Sequence, residues 1–256
     1  MKVSIITVVW NGEKTILDTI KSVANQTYEN IEYIVIDGKS TDRTMNILIE
    51  NKRYIKTLIS EEDNGLYDAM NKGIKLATGD VIGILNADDL YINDSVIEEV
   101  VNVFNKTRSD SVFADLVYTE RSDTNKILRY FNSQNFKPSN FQYGLMPAHP
   151  TFFVKKFFYE KLGVYRLDFN NAADYDLLIR FLYVNKLSYS YINYPIVKMR
   201  MGGRSTSLRS LWVNNYEILK ACKVNKINTN IFKIFVRYFV KLNPLWRIKN
   251  DLKKNF

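Results

Sequence analysis

The 256-residue sequence predicts an α/β domain in which helices flank a mostly parallel sheet, followed by a C-terminal helical extension. Two observations carry this prediction. Strand-like and helix-like segments alternate as βαβαβαβ over the first 90 residues, which is the pattern of a parallel sheet with helices on its faces. The strand segments are also continuous apolar runs, as in strands that are buried on both faces.

The strands of this first half are short and rich in β-branched residues, and the helices between them have one apolar face. A left-handed cap is expected at Gly79, because glycine adopts that conformation without a Cβ penalty. Ser40, Thr41 and Asp42 offer oxygens that can cap the second helix. The predicted strands cover Val3–Val9, Ile31–Ile36, Thr57–Ser60 and Val81–Leu85, and the predicted helices cover Ile16–Ala24, a segment after Asp42, and Leu66–Ala77.

The second half mixes strands and helices in a less regular order. Residues 132–147 have the composition of a loop, and two helices are expected after residue 207. The predicted strands cover Ser111–Tyr118, Ile127–Phe131, His149–Val154, Tyr189–Ile192 and Ile196–Met199, and the predicted helices cover Ser95–Asn105, Lys155–Leu162, Ala172–Val184, Leu208–Cys222 and Ile231–Leu242.

The net charge of +9 is concentrated at the C-terminal end. Residues 201–256 hold 12 Lys and Arg against 2 Asp and Glu, whereas the first 200 residues hold 24 against 25. A basic segment of this kind favours an anionic partner, either a membrane surface or a nucleic acid. No nucleic-acid recognition motif accompanies the charge, so a nucleic-acid partner is not expected.

The cysteine content and the N-terminus predict a cytoplasmic protein. Cys222 is the single cysteine, which excludes an intrachain disulfide and fits a reducing compartment. Met1-Lys2 runs directly into a strand-like segment without the pattern of a signal peptide. No uninterrupted run of about 18 apolar residues occurs, so a membrane-spanning helix is not expected.

Aspartates directly follow two of the predicted parallel strands. Asp37 ends the second strand, and Asp88 and Asp89 follow Val81–Leu85. Ligands of open α/β sheets bind beyond the carboxyl ends of the strands, so these side chains are expected at one crevice. Adjacent carboxylates are also the hard oxygen ligands that Mg²⁺ or Mn²⁺ takes together with phosphate oxygens.

Four segments occur in an order and spacing that carry a resemblance: SIITVVWN, IDGKSTDRT, GLYDAMNKGIKLATGD and LNADD. In this combination the sequence resembles a family 2 glycosyltransferase with the GT-A fold. The resemblance is strong over about residues 1–115 and weaker to about residue 206. It implies a GT-A domain over residues 1–206, with a nucleotide-sugar-binding half over 1–115 and an acceptor half over 116–206, followed by a basic helical tail over 207–256.

The resemblance implies that LNADD binds the donor and a metal ion. Asp89 would be the main ligand of a Mn²⁺ or Mg²⁺ ion that bridges the donor diphosphate, and Asp88 would contact the donor ribose or the metal. Asn86 replaces the usual first aspartate, so it is expected to bind the ribose as a neutral partner. Asp37 matches the first acidic residue of the base-binding motif. Gly38 stands at the second acidic position, which weakens the implication of uracil, although a UDP-sugar is the expected donor.

A second acidic motif of the family, usually Glu-Asp, falls on Ala173-Asp174. The resemblance implies that Asp174 is the general base that takes the proton from the acceptor hydroxyl. An aspartate in the first turn of a helix is also favoured by the helix dipole, which is the alternative role for this residue. Asp176 and Arg180 are spaced i, i+4 and are expected to form an ordinary ion pair.

Two further residues are candidates for the donor site. His149 is the only histidine in the chain and would contact the diphosphate or the acceptor, although a lone histidine is more often structural. Arg204 follows Gly202-Gly203 in a segment that resembles a loop closing over the donor, where it would meet diphosphate oxygens. The alternative for that segment is a plain glycine turn into the next helix.

The helix over Ile231–Leu242 has an apolar stripe bordered by basic residues, which predicts a peripheral anchor on the anionic inner face of the cytoplasmic membrane. The alternatives are a helix docked on the catalytic domain and a homodimer interface. The stripe consists of Ile231, Ile234, Phe235, Tyr238, Phe239 and Leu242, and the basic residues nearby include Lys233, Arg237 and Lys241.

The leading interpretation is a metal-dependent inverting glycosyltransferase. It would move a sugar from a nucleotide-diphosphate sugar to a hydroxyl of a glycan or lipid-linked acceptor, in the synthesis of a cell-surface polysaccharide such as capsule or lipopolysaccharide. A sugar nucleotidyltransferase would need a glycine-rich basic loop after the first strand, and VWNGEKT supplies one glycine and one lysine. A non-catalytic homologue that binds a nucleotide-sugar or scaffolds a membrane complex stays open, because Asn86 and Ala173 replace carboxylates.

Overall fold

The computed structural model describes the backbone of residues 1–202 and 208–242 and the side chains of residues 1–202 and 213–238. Nine strands form one sheet in the order β3-β2-β1-β4-β8-β6-β9-β5, and β7 pairs with β6 at the side of this path. The strands are β1 (Val3–Val9), β2 (Ile31–Asp37), β3 (Thr57–Ser60), β4 (Val81–Ile84), β5 (Asp89–Tyr91), β6 (Ser111–Thr119), β7 (Ile127–Phe131), β8 (Phe153–Lys155) and β9 (Tyr189–Arg200).

Helices connect these strands and cover both faces of the sheet. The α-helices are α1 (Ile16–Ala24), α2 (Thr44–Glu50), α3 (Leu66–Leu76), α4 (Val96–Thr107), α5 (Lys156–Leu162), α6 (Ala173–Leu178), α7 (Leu208–Val224) and α8 (Ile231–Leu242). Short 3₁₀ turns cover Lys52–Tyr54, Pro138–Tyr143 and His149–Thr151, and a π-helical turn over Ile179–Val184 continues α6.

The first half of the sheet is parallel, as the alternation of strands and helices predicted. β1 lies between β2 and β4 and pairs with both in parallel, and β3 extends the sheet beyond β2 in the same direction. The carboxyl ends of all four strands therefore lie at one edge, where Asp37 ends β2 and Asp88 follows β4.

The second half makes the sheet mixed rather than parallel throughout. β8 is antiparallel to both β4 and β6, while β9 runs parallel to β6. The segments predicted as two strands within residues 189–199 form the single strand β9, and its pairing with β6 shifts register near Asp115. Asp89, which was expected in a loop, starts β5, a short strand that pairs with the end of β9.

Neighbouring residues of a strand point to opposite faces, so the sheet separates two apolar cores. Ile6 of β1 belongs to the core that α3 and α6 cover, together with Met70 and Leu177. Ile5 belongs to the core on the opposite face, where α1 and α4 pack. The apolar faces that predicted these helices are the faces that contact the sheet.

Two local predictions need correction. Gly79 is not in the left-handed conformation, because α3 already ends at Ala77 with φ −61° and ψ 133°. Instead, a Cβ at Gly79 would lie 2.7 Å from the Ser4 nitrogen and 2.9 Å from the Lys2 oxygen, so glycine allows close packing on β1.

The strand predicted at His149–Val154 is a 3₁₀ turn followed by β8, since Pro150 donates no hydrogen bond to a sheet. Of the predicted capping residues, Asp42 accepts the Thr44 amide at 2.9 Å.

The helices after residue 207 belong to the packed body of the molecule. Ile218, Cys222 and Ile234 of α7 and α8 are buried in the same core as α3 and α6. The apolar stripe of α8 therefore faces the protein at Ile234, whereas Phe232 is 81% exposed. Along the described parts of the chain, no helix has the length and apolar composition that crossing a bilayer requires.

Candidate active site

The LNADD motif lies at the carboxyl edge of the parallel strands, directly after β4. Asp88 is half-buried, whereas Asp89 is only 1% exposed. Burial, followed by the negative charge of Asp88, raises the pKa of Asp89 well above its usual range, and hydrogen bonding from Asn86 and the charge of Arg200 oppose this shift. The more accessible carboxylate of the motif is therefore that of Asp88.

Arg200, at the end of β9, holds the backbone of this motif in place. Its guanidinium donates to the Asp88 carbonyl oxygen at 2.9 Å and to the Asp18 carboxylate on α1 at 2.5 Å. The Thr19 hydroxyl also donates to the Asp89 carbonyl oxygen at 2.9 Å. The motif is thus fixed from α1 and β9, two elements that are distant from it in the sequence.

The oxygen atoms of the motif fit a divalent cation. Asn86 Oδ1 and Asp89 Oδ1 are both buried and have no hydrogen-bond partner in the described part of the chain. Such orphaned oxygens are costly unless a donor or a cation satisfies them. Among the described residues, no group of three His, Cys, Asp or Glu side chains is placed to hold a metal by itself. A cation bound here would therefore share its coordination with a ligand such as a diphosphate.

Asp37 is fully buried and braces the loop that follows β2. Its carboxylate accepts the Ser40 amide at 3.1 Å and the Ser60 hydroxyl at 2.6 Å, and it also accepts the Ser40 hydroxyl. These bonds tie the ends of β2 and β3 together. The residue expected to read the donor base thus already has a structural role in the computed structure.

Asp63 occupies the space beside Gly38, the position where the family resemblance implied a second acidic residue. A Cβ added at Gly38 would clash with the carboxylate of Asp63, which lies after β3 and accepts the Gly65 amide at 2.8 Å. The same Cβ position is 3.5 Å from the Cβ of Trp10, which is 58% exposed at the end of β1. Because Gly38 has no side chain, the Asp63 carboxylate and the Trp10 Cβ both lie next to this residue.

Asp174 and His149 form the second polar cluster of the site. His149 Nδ1 lies 3.2 Å from Asp174 Oδ2, and the Tyr67 hydroxyl donates to Asp174 Oδ1 at 3.3 Å. Burial, followed by the charge of Asp174, raises the pKa of the Tyr67 hydroxyl, so Tyr67 stays protonated and donates. Asp174 remains 9% exposed, in the first turn of α6.

Asp176, two residues further along α6, has a purely internal role. Its carboxylate accepts Arg180 Nε at 2.9 Å and Asn225 Nδ2 at 2.8 Å, and the residue is fully buried. The ion pair predicted from the i, i+4 spacing is confirmed. The other guanidinium nitrogens of Arg180 bind the backbone carbonyls of residues 162–164.

A cavity of about 620 Å³ opens beside Asp174 and His149. Its walls come from β6, β7, the 132–147 segment, α6, α7 and α8, and they include Tyr118, Asn171, Asn214 and Arg237. A second cavity of about 30 Å³ is also lined by Asp174 and His149 and extends to Asn86 of the LNADD motif. Asp174 and His149 thus lie between Asn86 of the LNADD motif and the large cavity.

The structure brings most of the predicted site residues to one side of the sheet. Asp37, Asn86 and Asp88 lie at its carboxyl edge, and cavities connect Asn86 to Asp174 and His149. Arg204 lies outside the described residues.

Several residues of the site were not predicted as such. Asp63 and Tyr67 flank the start of the GLYDAMNKG segment, so a signal for them was present in the sequence. No sequence pattern indicated Arg200, because its contacts with Asp18 and Asp88 join residues more than 100 positions apart in the chain.

The comparisons with known proteins agree with this fold. The model of the glycosyl transferase family 2 matches residues 4–166. An uncharacterized glycosyltransferase of Rickettsia typhi is 30% identical over 226 residues, which cover 85% of this chain and 70% of the relative. A PGL/p-HBAD biosynthesis glycosyltransferase of Mycobacterium tuberculosis is 30% identical over 165 residues, which cover 63% of this chain and 62% of the relative.

Two solved structures share the fold at low sequence identity. Residues 1–349 of S. aureus TarS in complex with UDP-GlcNAc align with a TM-score of 0.68 and 17% identity, covering 99% of this chain and 78% of TarS. The mannosyltransferase PcManGT of Pyrobaculum calidifontis, in complex with GDP-Man and Mn²⁺, aligns with a TM-score of 0.64 and 18% identity, covering 96% of this chain and 71% of that one.

The mixed sheet, with its acidic motif at the carboxyl edge, defines the class of the molecule as a GT-A glycosyltransferase fold. The matched residues extend over more than half of the chain, from β1 into the segment after α5. The chain belongs to glycosyl transferase family 2.

Proposed function

We propose that this protein is an inverting glycosyltransferase that moves a sugar from a nucleotide-diphosphate sugar to an acceptor hydroxyl. One observation carries the proposal: Asp174 and His149 line both the large cavity and the small cavity that reaches Asn86. A donor at the carboxyl edge and an acceptor in the large cavity would meet at Asp174.

In the proposed reaction the acceptor hydroxyl attacks the anomeric carbon, and the bond from that carbon to the diphosphate oxygen breaks. The proton of the hydroxyl passes to the Asp174 carboxylate, and the nucleoside diphosphate leaves with the bonding electron pair. Tyr67 and His149 hold the Asp174 carboxylate toward the cavity through contacts of 3.3 Å and 3.2 Å. A base held in this way typically contributes about 10²–10⁴-fold in rate.

The LNADD motif is the proposed site for Mn²⁺ or Mg²⁺, held by Asp88 and Asp89 together with the donor diphosphate. The metal would act as a Lewis acid that stabilises the negative charge of the departing diphosphate. The unpartnered Oδ1 of Asp89 and the greater accessibility of Asp88 support both carboxylates as ligands. Asn86 remains the proposed neutral partner of the ribose.

The donor base is proposed to bind beside Trp10, with Asp63 and Asp37 nearby. A carboxylate accepts hydrogen bonds from base N–H groups, and an exposed indole offers a stacking surface. A UDP-sugar is the first candidate, since TarS was solved with UDP-GlcNAc, whereas PcManGT was solved with GDP-Man. Asp63 standing in for the carboxylate absent at Gly38 keeps an acidic base-binding site in this chain.

The acceptor is proposed to be a glycan or a lipid-linked glycan of a cell-surface polysaccharide. The mycobacterial relative is named for PGL/p-HBAD biosynthesis, which supports a glycan or glycolipid acceptor. Peripheral binding to the inner membrane face is a weaker proposal, since Ile234 docks on the protein and leaves Phe232 and Val236 as the exposed apolar residues of the described part of α8.

A panel of nucleotide-sugars tests the proposed function. The purified protein is incubated with each donor in Mn²⁺ and then in EDTA, and the released nucleoside diphosphate is measured. Release of one diphosphate that stops in EDTA is the expected result. Binding of a nucleotide-sugar without any release, even with a polysaccharide extract as acceptor, would favour the non-catalytic alternative.

A further inference from the structure

Arg237 is a buried cation in the wall of the large cavity. It lies on α8, is 7% exposed, and lines the same cavity as Asp174. One terminal nitrogen of its guanidinium donates to Asn215 Oδ1 at 2.7 Å and to the Tyr238 hydroxyl at 2.9 Å. Its Nε is buried and has no hydrogen-bond partner among the described residues.

Among the residues that the structure describes, no carboxylate balances the charge of Arg237, whose guanidinium lies 4.9 Å from the centre of the Tyr238 ring. The other deeply buried arginine near the site, Arg200, contacts the Asp18 carboxylate at 2.5 Å, and Arg180 contacts Asp176 at 2.9 Å. Within residues 1–202 and 213–238, no carboxylate lies within ion-pair distance of Arg237. An arginine cannot discharge itself by losing its proton, so a buried guanidinium with neutral partners favours a bound anion.

The rest of the cavity has the chemistry of a sugar site. Asn140, Asn171 and Asn214 line it with neutral amides, and Tyr118 and Phe131 add aromatic rings. Asp174 is the one carboxylate among the lining residues that the structure describes. Amides that hydrogen-bond hydroxyls and rings that cover apolar sugar faces suit a carbohydrate, and the volume is within the usual range for ligand pockets.

We propose that the acceptor is an anionic carbohydrate, whose phosphate or carboxylate group is bound by Arg237 while its reactive hydroxyl lies at Asp174. The guanidinium fork matches the planar geometry of a carboxylate and the oxygens of a phosphate. This inference rests on the proposed function, because it identifies the large cavity as the acceptor site. It also gives α8 a role in substrate binding in addition to its docking on the domain.

The inference is tested by measuring, with calorimetry, the binding of three small probes: glucose 1-phosphate, glucuronic acid and methyl glucoside. The wild-type protein is expected to bind at least one of the two anionic sugars about tenfold more tightly than the neutral glucoside. Arg237→Gln is expected to lose about ten- to hundredfold in affinity for that anion, the range for a charge-assisted hydrogen bond, and to keep its affinity for methyl glucoside. The two anionic probes distinguish a phosphate group from a carboxylate group.

Lys233→Gln is the matched control. Lys233 lies one turn earlier on α8, contacts Gln142 Oε1 at 3.4 Å and does not line the cavity. This substitution removes the same charge from the helix and is expected to leave all three affinities within twofold. Any binding of the phosphate probe at the donor edge would occur in the wild type and in every variant. The difference in affinity between variants therefore reports on Arg237.

If circular dichroism shows that Arg237→Gln is unfolded, Arg237→Lys replaces it in the test. Lysine keeps the positive charge but lacks the forked guanidinium. This variant is expected to retain the preference for the anion at several-fold lower affinity. Equal affinity of Arg237→Gln and the wild type for both anions would overturn the inference. So would wild-type affinity for methyl glucoside equal to that for both anions, or no binding of either anion. Nucleotide-sugar turnover is measured separately, so failure of this inference is distinct from failure of the proposed function.

Discussion

Two aspartates of one short helix, Asp174 and Asp176, differ in surroundings although they are two residues apart. Asp174 faces two cavities and contacts neutral or titratable side chains, His149 and Tyr67. Asp176 faces inward, where Arg180 and Asn225 satisfy its carboxylate. Residues i and i+2 of an α-helix are rotated by about 200° around its axis, so Asp174 faces the cavities while Asp176 faces the interior.

The substitution of each aspartate by asparagine separates these roles. Asp174→Asn is expected to lower the transfer rate by about 10²–10⁴-fold and to leave the melting temperature nearly unchanged, because it removes the base and keeps the shape. Asp176→Asn is expected to cost about 3–5 kcal/mol of unfolding free energy, because it leaves Arg180 buried without its counter-charge. Initial rates and urea unfolding curves measure the two effects. An Asp174→Asn protein with wild-type rate would remove Asp174 from the proposed mechanism.

At the scale of elements, a buried carboxylate holds together the opposite edge of the parallel strands. Glu32 of β2 accepts Lys2 Nζ at 2.7 Å, the Ser4 hydroxyl of β1 at 2.6 Å and the Thr78 amide before β4 at 2.7 Å. Gly79 follows Thr78 and donates to the same Ser4 hydroxyl at 2.9 Å. These bonds fix the starts of β1, β2 and β4 relative to one another. They thereby fix the register that places the carboxyl ends of these strands at the candidate site.

Glu32 makes the stability of the protein depend on pH in a defined window. Burial raises its pKa, but the hydrogen bonds from Lys2, Ser4 and Thr78 outweigh it and lower the pKa to about 2. A carboxyl with a depressed folded-state pKa stabilises the fold above its unfolded value, here 4.5, and loses that contribution as the pH falls towards 2.

Glu32→Gln is therefore expected to unfold with about 2–3 kcal/mol less free energy at pH 7, on the scale of hydrogen bonds to a charged group. The difference from the wild type is expected to shrink steadily below pH 4.5. Urea unfolding at a series of pH values measures it, and a difference that does not change with pH would show that the Glu32 charge has no part in the effect.

At the scale of the whole molecule, the sequence predicted the parallel half of the sheet and left the other half open. β1, β2 and β3 are each followed by a helix, and this local alternation predicted that they run parallel to one another and to β4, although not the order in which they pair. The order β8-β6-β9-β5 depends on contacts between segments that are distant in the sequence, and hydrophobic periodicity does not predict such contacts. The same holds for single residues: Asp88 could be read from a motif, whereas the burial of Asp89 and Arg237 follows from packing.

The tail illustrates how an amphipathic pattern supports more than one structure. A basic helix with an apolar stripe is equally suited to a lipid surface and to a groove on its own domain. Ile234 and Arg237 are both buried, so in the described structure the stripe and one of its basic neighbours face the protein. α8 thereby closes one wall of the cavity that faces Asp174.

The proposed mechanism is a single displacement at the anomeric carbon, with Asp174 as the base and the diphosphate leaving from the LNADD side. The most direct test follows the anomeric proton of the transferred or hydrolysed sugar by ¹H NMR, early enough to precede mutarotation. A single displacement predicts that the first product has the anomeric configuration opposite to that of the donor. A first product that retains the donor configuration would contradict the mechanism and the role assigned to Asp174.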